Sequence, residues 1–246
     1  KVSYKSKTFH FILQNPDDLN TIQNMQLVPR LNTHLIKGSG IDLNKFGYKS
    51  ISLPKDKLRF LFPARLLYDK GIVELINAAN ILKSKLKGKV EFILAGDFDS
   101  DNLASIKEND LKSFLIPGYI SWIGYQNNMY SIYVESDVVV LPSYREGLPK
   151  SLIEACAVGR PIITTDVPGC RECVIDKVNG CLIEVKNSLN LANAILYLYE
   201  NQDVLNDMGL ESRKLAEKEF SIDQVIEETY SIYNKIANDD NNKEFF

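Results

Sequence analysis

The sequence predicts a doubly wound α/β domain, with a parallel six-stranded sheet and helices on both of its faces. Short apolar runs alternate with helical stretches from about residue 58 onward. Apolar character that is continuous rather than alternating is typical of strands buried on both faces of a parallel sheet. Glycines such as Gly96, Gly124 and Gly159 end individual segments. The resulting order, βαβαβαβαβαβ followed by helices, is the pattern of this fold class.

Each element rests on its own local pattern. Strands are expected at apolar runs of strand length, at residues 58–64, 90–95, 119–123, 137–141, 161–165 and 181–185. Helices are expected at residues 71–86, 100–114, 129–136, 148–158, 188–200, 203–219 and 221–237. Apolar residues at three- and four-residue spacing support the helix at 71–86. Pro149 favours the first turn of the helix at 148–158, and Gly159 favours its end.

Residues 1–57 do not continue this unit. A strand is expected at 8–13, a helix capped by Asn15 at 17–25, and a short strand at 33–36. Two interpretations stay open: the last unit of a preceding domain with a linker at 47–54, or an N-terminal extension packed on the sheet. Because a strand separated from its sheet exposes an unpaired edge, we expect it to pair with a second copy or to repack on its own domain.

Composition excludes several classes of protein. The 246 residues are 45% apolar and 25% charged, values that exclude a disordered chain, collagen and a disulfide scaffold. The net charge of −3 gives no basic footprint for nucleic acid. No apolar run approaches the roughly 18 to 20 residues of a membrane helix, and no signal peptide is recognised.

The cysteines and histidines suggest structural roles. The chain has four cysteines, and Cys170 and Cys173 have CxxC spacing without a second ligand pair. Buried or incidental thiols are the favoured interpretation, with a zinc site and a redox pair as alternatives. Such sparse cysteine usage suits a reducing cytoplasm. His10 and His34 have no partner at a useful spacing, and we expect them to be structural.

A ligand site is expected at the switch point of the sheet, between the carboxyl ends of the first and fourth strands. Arg65 and Lys70 follow the first strand, and Glu146 follows the fourth. A helix begins just after Lys70, and its free N–H groups with the two cations suit a diphosphate. The alternative is a solvated Lys70, a salt-bridged Arg65 and an exposed loop acid at Glu146.

A second carboxylate lies eight positions after Glu146. Glu154 stands among apolar residues of the helix at 148–158. A carboxylate in such surroundings needs a partner or a ligand. From this position it can accept hydrogen bonds from both hydroxyls of a ribose, while Gly147 lets the backbone approach the ligand closely.

These motifs together resemble a known family. They are RLLYDKG at 65–71, FILAG at 92–96, IG at 123–124 and EGLPKSLIEACAVGRPI at 146–162. QNPDD at 14–18 and GSGID at 38–42 complete the pattern. In this order they resemble the Rossmann-like, nucleotide-sugar-binding C-terminal half of the retaining GT-B glycosyltransferases of group 1, or family 4.

The resemblance implies a role for each matched residue. Arg65 and Lys70 would hold the donor diphosphate and, with Glu146, form the catalytic group. Glu154 would bind the ribose hydroxyls. Glu146, with the backbone N–H groups of Gly147, Leu148 and Pro149, would contact the transferred sugar and the distal phosphate. The backbone around Ile123 and Gly124 would face the base, and Gly96 and Asp97 would lie near the nucleotide.

The resemblance also implies the reaction. The family transfers a sugar from a nucleoside diphosphate to an acceptor with retention, without a cofactor or a metal. A UDP-sugar is favoured over a GDP-sugar. Polysaccharide or glycolipid synthesis would place the protein in the cytoplasm or at the inner face of the membrane, facing a lipid-linked acceptor.

A division of the chain follows from the same resemblance. Residues 1–50 would be the end of an N-terminal acceptor domain plus a linker, 51–237 the donor-binding domain, and 238–246 a flexible tail. Transfer would depend on the acceptor domain, and the N-terminal segment could mediate a homodimer. Two other function classes stay open: an epimerase-like or phosphorylase enzyme on the same scaffold, and a non-catalytic nucleotide-sugar-binding subunit.

Overall fold

A small β–α–β unit precedes the main sheet. In this computed structural model, which describes residues 9–26 and 28–241, strand β1 (Phe11–Leu13) pairs in parallel with β2 (Thr33–Leu35). Helix α1 (Pro16–Asn24) connects them, and the Asn15 side chain accepts the Asp18 N–H at its start. The expected helix cap is therefore confirmed.

The main sheet has six parallel strands in the order β5-β4-β3-β6-β7-β8. They are β3 (Leu58–Pro63), β4 (Val90–Ala95), β5 (Ile120–Gly124), β6 (Val138–Leu141), β7 (Ile162–Thr165) and β8 (Gly180–Ile183). Every residue of β6 is buried, which explains its continuous apolar sequence. The predicted fold class is confirmed.

Seven helices in the described part of the chain accompany this sheet. They are α2 (Ile72–Leu86), α3 (Glu108–Phe114), α4 (Met129–Glu135), α5 (Lys150–Val158), α6 (Ser188–Glu200), α7 (Leu205–Glu219) and α8 (Ile222–Asn241). Helix α2 packs against α6, and α5 packs against α4 and α7. The connection from β3 to β4 and the connection from β6 to β7 run toward opposite edges of the sheet. Because such crossovers are right-handed, α2 and α5 lie on opposite faces of the sheet. None of the described helices is long and apolar enough to span a membrane.

Two predicted helices have bounds that differ from the structure by more than two residues. The helix expected at 100–114 begins only at Glu108. The preceding loop instead pairs its backbone with the loop after β3, where Tyr68 N–H donates to Ala104 O at 2.8 Å and Ile106 N–H donates to Leu66 O at 2.9 Å. Helix α8 continues to Asn241 and so includes residues 238–241 of the expected tail. The rest of the expected tail, 242–246, lies outside the described residues.

The N-terminal strand finds its partner within its own chain. Of the expected strand 8–13, residue 8 lies outside the described residues, and residues 11–13 pair with 33–35. The unit also packs on the main domain, where Lys37 lies 2.7 Å from Glu219 and Ile41 N–H donates to Phe220 O at 2.8 Å. Repacking on its own domain is thus the observed outcome for this strand.

The same pairing explains the two histidines. His10 Nδ1 lies 2.9 Å from His34 Nε2, and the rings stack with centroids 5.2 Å apart. The expectation that neither has a partner is wrong, because parallel pairing of β1 and β2 brings residues far apart in sequence side by side. All four cysteines are free and buried, as the favoured interpretation required.

Candidate functional site

The loops after β3 and β6 meet at the carboxyl edge of the sheet. The two strands are neighbours, with Phe60 opposite Val138. Above them, the Ser143 Oγ lies 3.0 Å from Asp69 O. Gly71 has φ +76°, and a Cβ there would lie 2.1 Å from a backbone oxygen of Pro142. The close approach of these loops requires a glycine at 71, at the switch point where the strand order predicts a ligand crevice.

Lys70 and Glu146 meet directly in this crevice. Lys70 Nζ lies 2.6 Å from Glu146 Oε1, and the side chains are only 17% and 13% exposed. The Ser143 hydroxyl donates to the same carboxylate oxygen at 2.8 Å. Lys70 is therefore not a solvated loop charge, and Glu146 is not an exposed loop acid.

Helix α5 begins beside this ion pair. Pro149 is its N-cap residue. Within the described residues, the backbone N–H groups of Gly147, Leu148 and Lys150 donate to no protein acceptor. Proline has no amide hydrogen, so the expected donors at 147–149 reduce to those of Gly147 and Leu148. Free N–H groups next to a lysine are suited to an anion.

The loop after β7 packs against the loop after β6. Glu146 N–H donates to Pro168 O at 3.2 Å. Gly169 has φ +82°, and a Cβ there would lie 2.4 Å from Glu146 O and 2.6 Å from Gly147 O. Pro168 and Gly169 thus act as a structural turn that holds the site loop.

Arg65 lies at the same edge but has a different partner. Its guanidinium forms an ion pair with Asp99, and the arginine side chain is 59% exposed. Asp99 is held in turn by its N–H, which donates to Ser105 Oγ at 3.1 Å. Arg65 therefore does not join Lys70 and Glu146 in this arrangement. Sequence reasoning did not single out Asp99, which lies just before the helix expected at 100–114.

The ends of β3, β4 and β5 are tied together beside Arg65. Gly96 has φ +156°, and a Cβ there would lie 1.9 Å from Ala64 O. Gly96 N–H donates to Gly124 O at 2.9 Å, and the Trp122 indole donates to Gly96 O at 2.8 Å. Ile123 is 37% exposed on the last strand of this group. The three predicted backbone residues are thus neighbours.

Glu154 has a protein partner that the sequence did not reveal. The Tyr133 hydroxyl on α4 lies 3.0 Å from Glu154 Oε2 and 2.9 Å from Ser151 O. Burial raises the pKa of the Glu154 carboxyl, and the Tyr133 hydrogen bond with the charges of Lys150 and Lys45 partly opposes that rise. Nothing in the local sequence distinguishes Tyr133 from an ordinary core residue.

The predicted charged residues thus form three separate side-chain pairs in the structure. Lys70 contacts Glu146, Arg65 contacts Asp99, and Glu154 contacts Tyr133. Among the described residues, no group of three or more histidine, cysteine or acidic side chains is arranged to hold a metal ion.

Comparison with known proteins identifies relatives over most of the chain. The N,N'-diacetylbacillosaminyl-diphospho-undecaprenol alpha-1,3-N-acetylgalactosaminyltransferase of Campylobacter jejuni is 29% identical over 214 residues, covering 82% of this chain and 54% of the relative. CapM of Staphylococcus aureus, a capsular polysaccharide biosynthesis glycosyltransferase, is 30% identical over 203 residues, covering 82% and 53%. The chain spans about half the length of the curated relatives it matches.

Solved structures share the fold. Sucrose-phosphate synthase from Thermosynechococcus elongatus superimposes with a TM-score of 0.78 at 22% identity, covering 92% of this chain and 58% of that one. Anabaena Alr3699/HepE, solved in complex with UDP, superimposes with a TM-score of 0.78 at 20% identity, covering 91% and 63%. Residues 47–215 match the family described as glycosyl transferases group 1. The chain therefore belongs to the group 1 glycosyl transferases.

Proposed function

We propose that this chain binds a nucleoside diphosphate sugar and supplies the donor site of a retaining, family 4 glycosyltransferase. Membership of group 1 supports the reaction class. The names of its relatives include capsular polysaccharide synthesis and transfer to a diphospho-undecaprenol, which support a product in polysaccharide or glycolipid assembly.

One observation carries the proposal. The Lys70–Glu146 pair lies beside the free N–H groups at the start of α5, at the switch point of the sheet. In the proposed complex the distal phosphate accepts hydrogen bonds from Gly147 and Leu148 N–H and takes Lys70 as its counter-ion. Cations and oriented N–H groups in a crevice stabilise the negative charge that develops on the departing diphosphate.

The acidic residues are assigned binding and electrostatic roles. Once the phosphate engages Lys70, Glu146 keeps its hydrogen bond from Ser143 and turns its free oxygen toward the transferred sugar. Glu154 accepts hydrogen bonds from the ribose hydroxyls. Arg65 is exposed at the rim, and its planar guanidinium has enough donors to hold a phosphate while still bound to Asp99.

The finer assignments follow the same proposal. Residues 51–237 form the donor-binding domain and residues 1–50 the end of an acceptor domain with its linker, and sugar transfer requires that acceptor domain. The base is uridine rather than guanosine, and several structures that share the fold were solved with UDP. The lipid-linked acceptor named for relatives supports a site of action at the inner face of the membrane.

Titration calorimetry tests the proposal. UDP, GDP, uridine and guanosine are titrated into the chain, and a diphosphate is expected to bind more tightly than its nucleoside. Equal or absent binding of all four would contradict a diphosphate site. Release of free nucleoside diphosphate from a sugar donor, with acceptor and the acceptor domain present, distinguishes a transferase from a binding subunit. Sugar interconversion without acceptor would indicate an epimerase.

A further inference from the structure

A fully buried asparagine connects the N-terminal unit to the site loop. Asn15 is 0% exposed. Its Oδ1 accepts the Asp18 N–H at 2.8 Å and so caps α1, while its Nδ2 donates to Gly147 O at 2.7 Å and to Asp18 Oδ2 at 2.8 Å. The one side chain therefore fixes both the start of α1 and a carbonyl group of the site loop.

Further contacts surround this hydrogen bond. The two acidic residues in the first turn of α1 form ion pairs across the same junction, Asp18 with Arg145 and Asp17 with Arg171 at 3.2 Å. Gln14 lies directly over the loop, since a Cβ at Gly147 would be 2.6 Å from Gln14 Oε1. The ion pairs are largely exposed and contribute little on their own. The buried amide is thus the specific link.

This link bears on a donor group of the proposed phosphate site. In a trans peptide unit the C=O and the following N–H point in opposite directions. The hydrogen bond from Asn15 to the Gly147 carbonyl therefore turns the Leu148 N–H away from α1. Without this hydrogen bond, no side chain of the N-terminal unit holds the orientation of the Gly147–Leu148 peptide.

We infer that Asn15 is a positioning residue for donor binding. It fixes the Gly147–Leu148 peptide so that the Leu148 N–H is presented to the distal phosphate of the nucleoside diphosphate. The inference rests on the proposed function. It also means that the β1–α1–β2 unit and diphosphate binding are energetically coupled, since both depend on one peptide orientation.

The variant Asn15→Asp removes the donor to Gly147. Aspartate has the same shape and remains a good helix cap, but it loses the amide hydrogens and places a carboxylate oxygen against the Gly147 carbonyl and against the Asp18 carboxylate. Asn187→Asp is the matched control. Asn187 caps α6 by accepting the Asn190 N–H at 2.9 Å and donates its amide to Glu184 at 2.8 Å.

Calorimetry with UDP and uridine, and with GDP and guanosine, gives the readout. We expect Asn15→Asp to weaken binding of the preferred diphosphate about tenfold, the loss typical of one hydrogen bond to a charged group, and to leave nucleoside binding unchanged. The Asn187→Asp control is expected to bind both ligands as the wild type does.

Three results would overturn the inference. They are an unchanged diphosphate affinity in Asn15→Asp, an equal loss for diphosphate and nucleoside, and the same loss in Asn187→Asp. If Asn15→Asp does not fold, Asn15→Ser replaces it, since serine still caps a helix but is too short to reach Gly147. If the wild-type chain binds none of the diphosphates, the proposed function itself is contradicted. The results for the variants alone contradict only the role of Asn15.

Discussion

Lys70 Nζ lies 2.6 Å from Glu146 Oε1, across the boundary at which the strand order of the sheet reverses. One residue follows β3 and the other follows β6, so each half of the sheet supplies one charge. With little solvent around the pair, each side chain depends on the other or on a ligand to compensate its charge. The pair is therefore both a structural contact and the centre of the proposed donor site.

Replacing Lys70 tests the structural side of this contact. Lys70→Met leaves the Glu146 carboxylate largely buried without its cation, and we expect the free energy of unfolding to fall by about 1.5 to 3 kcal/mol. Denaturant unfolding of the single variants and of the double variant with Glu146→Gln measures the coupling. Lys85→Met, which breaks an exposed pair with Glu200, is expected to change stability by less than about 1 kcal/mol. Additive effects in the double variant would disprove the coupling.

Glu154 is expected to lower the stability of the fold at neutral pH while it contributes to nucleoside binding. Because the pKa of Glu154 is higher in the folded state than in the unfolded state, protonation of this carboxyl stabilises the fold. This stabilisation is complete below the unfolded-state pKa of 4.5 and is lost as the pH rises through the folded-state pKa. Glu154→Gln should therefore raise the free energy of unfolding at neutral pH, and weaken UDP and uridine binding alike by about 1 to 3 kcal/mol.

Thermal unfolding and calorimetry at pH 7 check both halves of the Glu154 prediction. Glu211→Gln, at an exposed helix position paired with Lys214, is the control and should change neither quantity. Unchanged nucleoside affinity in Glu154→Gln would contradict the ribose assignment, whatever its effect on stability.

Arg65 is expected to act on phosphate rather than on the nucleoside. Arg65→Ala should reduce UDP affinity more than uridine affinity, because only the diphosphate offers oxygens to the guanidinium. Its exposed ion pair with Asp99 should add little to stability. Arg59→Ala, at the opposite end of β3 and also partly exposed, should bind UDP like the wild type. Equal losses for UDP and uridine in Arg65→Ala would contradict a phosphate contact.

The stacked histidines predict a pH dependence of stability. Burial, with the nearby charges of His10 and Lys235, lowers the pKa of His34 below its ordinary 6.5. A histidine with a lowered folded-state pKa contributes stability that is complete above 6.5 and is lost as pH falls from there toward the folded value. We therefore expect the contribution of His34 to the unfolding free energy to decrease as pH falls from 7 to 5.

His34→Gln provides the test of that pH dependence. Glutamine does not titrate, so the variant should show a shallower decrease than the wild type when denaturant unfolding is measured at half-unit steps of pH. Identical slopes for the two proteins would mean that other groups cause the acid sensitivity.

The local elements of this protein were largely predictable from the sequence. The strands at 58–63, 90–95 and 138–141 lie within the predicted runs, and the helix at 188–200 has the predicted bounds. The helix expected at 100–114 was wrong over its first half, because residues 104–106 form backbone hydrogen bonds with the loop at 66–68. A local sequence pattern contains no information about such a long-range pairing.

The candidate site, too, was predictable from the sequence only in part. The sequence by itself determined which residues follow each parallel strand, and therefore that Lys70 and Glu146 share one edge of the sheet, since strand polarity and order fix that edge. Only the tertiary structure decided the partners of the functional side chains: Asp99 for Arg65, Tyr133 for Glu154 and Asn15 for the Gly147 carbonyl. These contacts join residues from 21 to 132 positions apart. Hydrogen bonds at such separations depend on packing between elements, which no local periodicity records.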